Sequence, residues 1–142
     1  MINIMDAARY LVYLSYNENV ASLTPLKLQK LLYLAQGWSY VWDRKPLFLE
    51  EFEAWQYGPV NNEVYCHFKK YGRDEISDYE ELDYIDDDDA RETLEAIWDS
   101  YGPYNAFELV ELTHQQLPWK KAYEQGTSIR NEDIKRYFQS TY

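Results

Sequence analysis

Cysteine is nearly missing from this sequence. Cys66 stands alone, so no disulfide within the chain can form, and a reducing cytoplasmic compartment is expected. Glycine and proline are scarce, with five of each, and no Gly-x-Gly-x-x-Gly run or phosphate-binding loop occurs. The two histidines, His67 and His114, lie far apart and share one thiol, which makes no clustered ligand set; neither a metal nor another cofactor is expected. Long apolar runs are missing too. Residues 31–42, the longest stretch without a charge, number twelve and are interrupted by Gln36, Gly37 and Ser39, whereas a membrane helix needs about 20 apolar residues. No membrane span is expected, and no basic-then-apolar start marks a secretory signal.

Catalytic signatures are lacking as well. No serine, threonine or cysteine sits in a glycine-rich elbow. Cys66 and His67 are neighbours in sequence, but adjacent positions on a helix do not face each other, so the pair reads as accidental. His114 has no identifiable nucleophile beside it and reads as a histidine tying a loop to a helix by hydrogen bonds, with Trp119 as a core plug. The chain is not expected to be an enzyme.

What is abundant is acid and aromatic rings. The 142 residues carry 25 acidic against 14 basic side chains, a formal charge of −11. A chain of this length buries about 68% of its unfolded surface and needs no staple, so residues 1–142 are expected to form a single domain. The acidity is local: residues 1–73 sum to +1, residues 74–112 to −14, and residues 113–142 to +2. Such a field repels phosphates, so direct nucleic-acid binding is disfavoured and a partner with a basic surface is favoured. Asp83, Asp86, Asp87, Asp88 and Asp89 are the candidate partner-facing acids; the alternative is a solvated loop and helix cap. Fifteen tyrosines, five tryptophans and five phenylalanines supply rings that suit cores and interfaces alike.

Periodicity predicts a mainly α bundle of about six helices with a small β-hairpin-like element near residues 47–57. Residues 3–17 carry an apolar stripe of Ile4, Ala7, Ala8, Leu11 and Val12. Thr24 and Pro25 form a helix start, and Leu28, Leu31, Leu32 and Ala35 form the buried face of a helix running to about Trp42, with Lys27, Gln29 and Lys30 on its other faces. Residues 47–49 and 52–57 read as short strands. Gly58 and Pro59 then end the β element and launch a helix at Asn61 or Asn62, which Gly72 stops. Residues 73–89 read as linker with a short extended piece at 75–77, and Asp88 or Asp89 as the cap of the next helix. Asn105 opens another helix, broken at Pro118, and a last one starts at Asn131.

Three segments together resemble a known family. They are Leu23-Thr24-Pro25-Leu26-Lys27-Leu28-Gln29-Lys30-Leu31-Leu32-Tyr33, then Glu53-Ala54-Trp55-Gln56-Tyr57-Gly58-Pro59-Val60, then Thr113-His114 with Pro118-Trp119. Their order and spacing resemble the Panacea domain, the family of SocA-like and GepA-like phage-associated proteins, over nearly the whole chain, about Ile4 to Phe138. The resemblance implies an antitoxin of a bacterial or prophage toxin–antitoxin pair that neutralises its cognate toxin by direct binding. Delivery of the toxin to a protease is a second mechanism within the family. A hydrolase using His114 with a carboxylate and an acidic nucleic-acid-mimicking decoy are the readings from other classes. The motif residues read first as fold determinants, with toxin contact as the alternative; Gly58 and Pro59 are expected to act through backbone geometry, so that replacing Gly58 costs stability if its φ is positive.

Overall fold

The computed structural model describes residues 1–18, 22–77 and 85–142. Helix α1 spans Ile4–Glu18, and its Ile4, Ala7, Ala8 and Leu11 are fully buried, as the stripe requires. Helix α2 spans Pro25–Trp42. Thr24 Oγ1 accepts from the Lys27 amide, and Pro25 occupies the first turn, where its missing N–H has no partner to lose.

Helix α2 is the axis of the molecule, touched by α1, α3 (Asn62–Phe68), α4 (Asp88–Tyr101), α5 (Ala106–His114), α7 (Asn131–Thr141) and the sheet. Thirteen of its eighteen residues are buried, which corrects the expectation that Lys27, Gln29 and Lys30 lie on open faces. A helix enclosed on all sides has no solvent face, so its polar side chains must find partners inside. Lys27 Nζ donates to the carbonyls of Ser22 and Gly102, at 3.0 and 2.5 Å. Gln36 donates to Phe48 O and accepts from Leu47 N, both at 2.8 Å. Gly37 is where α7 crosses, for a Cβ there would lie 2.4 Å from the Phe138 ring.

Two strands follow, β1 (Phe52–Trp55) and β2 (Gly58–Val60), paired antiparallel with Trp55 opposite Gly58 and Glu53 opposite Val60. A two-residue strand, β3 (Ser128–Ile129), pairs on the other side of β1, giving the order β2-β1-β3. Gly58 and Pro59 therefore belong to a strand rather than ending the β element, and the turn is Gln56-Tyr57. Proline is tolerated in β2 because an edge strand need not donate on both sides. Residues 47–49 form no strand, since the Leu47 and Phe48 amides are taken by the Gln36 side chain.

Helix α3 (Asn62–Phe68) is capped by Asn61 and runs into a 3-10 turn, Lys69–Tyr71, stopped at Gly72. No strand forms at residues 75–77, where the Ile76 amide instead bonds Leu23 O at 2.9 Å. The cap of α4 is Asp87, one residue before the expected pair. Helix α5 carries a reciprocal capping box of Asn105 and Glu108. Pro118 opens α6 (Leu117–Gln125) rather than breaking the preceding helix, which has already ended at His114. Among the described residues, no helix is long and apolar enough to cross a membrane.

Candidate partner-binding site

The three sequence blocks converge on the β1–β2 hairpin. From α2, the fully buried Lys30 donates from Nζ to Pro59 O at 3.0 Å. Its neighbour Gln29 grips Asn61 both ways, donating to its carbonyl at 3.1 Å and accepting its amide at 2.9 Å. From α5, His114 Nε2 lies 2.8 Å from Gln56 O; a carbonyl only accepts, so Nε2 carries the hydrogen. From α6, Trp119 Nε1 donates to Trp55 O at 2.8 Å. Three helices thus each hold a main-chain oxygen of one short hairpin.

Packing reinforces these bonds. The His114, Trp119 and Tyr123 rings stack in a column, with centroids 4.1 and 4.6 Å apart. Gly58 has φ +103°, and a Cβ on it would lie 2.5 Å from Lys30 Cε and 2.9 Å from Thr113 Oγ1. Burial pushes the Lys30 ammonium down to about 7, because removal from water disfavours the charged form. Lys27 is lowered for the same reason, partly opposed by Glu108.

Beside the hairpin turn lies a groove of about 430 Å³, walled by Pro25 and Leu26, Tyr57, and Tyr65 and Phe68 of α3. Tyr57 is 53% and Tyr65 40% exposed, and Tyr65 meets Trp55 edge-on at 4.9 Å. Lys69 is the charged residue among those lining the groove.

The remaining expected residues fall into place around this site. Thr24 is the α2 cap, Leu28, Leu31 and Tyr33 are core, and Ala54 is half-buried in β1. Val60 lines the groove, and Pro118 is buried at the start of α6. The acidic segment is not brought here: it lies at the opposite end of α2. Asp87 caps α4 and meets the Met1 amine, Asp88 pairs with Arg91, and Asp89 with Lys45. The Met1 amine, above all, holds the Asp87 carboxyl below its usual value. Asp86 is exposed, and Asp83 lies outside the described residues. Sequence reasoning named Asn61 only as a helix start and Gln29 only as a residue of α2, and gave Tyr65 and Lys69 no place in the site, because the groove exists only once α3 packs beside the hairpin.

Among the described residues no cluster of three histidine, cysteine, aspartate or glutamate side chains is placed to hold a metal ion. Fold and site together define a helical domain with a clamped hairpin and an adjoining apolar groove. The chain belongs to the family described as antitoxin SocA-like, Panacea domain, whose match covers residues 28–120 and so takes in the second and third blocks and residues 28–33 of the first. It is similar to Antitoxin SocA of Caulobacter vibrioides (strain NA1000 / CB15N), 33% identical over 109 residues, covering 68% of this chain. The chain spans 58% of that relative's length. No solved structure matches the chain.

Proposed function

We propose that this protein is an antitoxin that acts in the cytoplasm, as one unit over residues 1–142, by binding a cognate toxin and holding it inactive. Membership of the SocA-like family carries this reading. The site supports it, because a stoichiometric inhibitor needs a preorganised surface rather than a reacting group, and a hairpin fixed by side chains from three helices loses little freedom on binding. The motif residues act mainly by holding the fold, and partner choice rests on exposed side chains around them. The acidic flank at the start of α4 adds long-range attraction toward a basic toxin surface, which speeds encounter more than it tightens the complex. The test is genetic and physical together. The product of the open reading frame beside this gene should arrest growth alone, spare the cells when this chain is co-expressed, and co-purify with it in a one-to-one complex. Harmless neighbours on both sides, none retained by the immobilised protein, would remove the basis of the proposal.

A further inference from the structure

We infer that the groove between the start of α2, the hairpin turn and α3 is the seat of an apolar segment of the toxin that carries a carboxylate at one end; the inference rests on the antitoxin reading and specifies its contact. The volume, about 430 Å³, lies within the range of about 300–1,000 Å³ usual for binding clefts. Its walls are mainly apolar and aromatic, and they include two exposed tyrosines, Tyr57 and Tyr65. Exposed tyrosines on a rigid frame are the side chains that anchor protein interfaces, since they bury large area with few rotors to freeze.

The charge at the groove identifies the occupant. Lys69, exposed at the end of α3, is the charged side chain lining it, and its ammonium has no ion-pair partner among the described residues. Neither Asp74 nor Glu75, a few residues on, lines the groove. An entering segment therefore meets an apolar floor and one cation, and the complementary chemistry is aliphatic or aromatic side chains with a carboxylate positioned to reach Lys69. The contact is distinct from the acidic flank near α4, where Asp87, Asp88 and Asp89 already have partners within the molecule.

The experiment uses the full chain and the purified product of the adjacent open reading frame. Tyr57→Ala, Tyr65→Ala and Lys69→Glu are compared with the parent and with Phe107→Ala, which truncates a ring on α5 that is 69% exposed and does not line the groove. Each groove variant should melt within a few degrees of the parent yet bind at least about tenfold more weakly, while Phe107→Ala binds like the parent. The Lys69→Glu deficit should shrink as salt rises, and a toxin carboxylate changed to lysine should restore its binding. If the parent protects cells and every groove variant binds as tightly, the groove assignment falls and the antitoxin reading stands. If the parent protects no cell, both fall. Should Tyr65→Ala instead dissolve a dimer of this chain and leave toxin binding intact, the groove is a self-interface and the inference is overturned.

Discussion

Lys30 sits where a lysine is costly: it is fully buried, and its ammonium donates to a single carbonyl, Pro59 O. Its folded-state value of about 7 lies below the ordinary 10.5, so between those limits the unfolded chain holds more protons than the folded one. Linkage then gives this residue a contribution that raises stability with pH, with a slope of up to about 1.4 kcal/mol per pH unit. Below about 7 both states are protonated and the full burial penalty is present. Denaturation measured from pH 7 to 9, below the range where tyrosines ionise, should show the parent gaining stability relative to Lys30→Met; parallel curves would contradict the assignment. At Gly58 the argument is steric. Alanine would adopt φ +103° and press on Lys30 Cε and Thr113 Oγ1, neither free to retreat because both residues are fully buried. Backbone strain and overpacking together should cost about 2–4 kcal/mol, read as a lowered melting temperature. A backbone role for Gly58 was legible in the sequence; its φ and the lysine against it were not, since a charge on a helix is read outward until the surrounding elements are known.

At the scale of elements, the clearest sequence signals were caps. Thr24-Pro25 starts α2 and Asn105 starts α5, because those side chains accept the free amides of a first turn whatever lies around them. Asp87 does the same for α4, accepting from the Ala90 amide at 3.0 Å. Asp87→Ala should therefore cost about 1 kcal/mol and Asp87→Asn distinctly less, since asparagine also caps well. Equal losses in chemical denaturation would show that the charge, through the Met1 amine, outweighs the cap. The strands were harder to read. Pro59 argues against a strand unless its edge position is known, and the two residues of β3 acquire their conformation only from pairing with Phe52 and Glu53 far earlier in the chain. Local pattern carries no record of such pairings, and the same applies to residues 47–49, whose amides a helix side chain captures.

For the whole molecule, the site is made where α2, the hairpin, α3, α5 and α6 meet, which is why the chain's blocks could be seen in sequence while the groove could not. The hairpin should exchange its amide hydrogens through a local opening that releases this frame, and α1 through openings of its own. Trp119→Phe, which keeps the ring and removes the 2.8 Å bond to Trp55 O, should speed exchange in β1 and β2 while leaving α1 at its parental rate; uniform acceleration would mean that the bond stabilises the whole fold rather than the hairpin. The bonds from Lys30, His114 and Trp119 all end on main-chain oxygens, at Pro59, Gln56 and Trp55. Every amino acid supplies that atom. The frame is therefore indifferent to which side chains the turn displays, so Tyr57 at its tip, 53% exposed, can be replaced without loosening the scaffold that presents it.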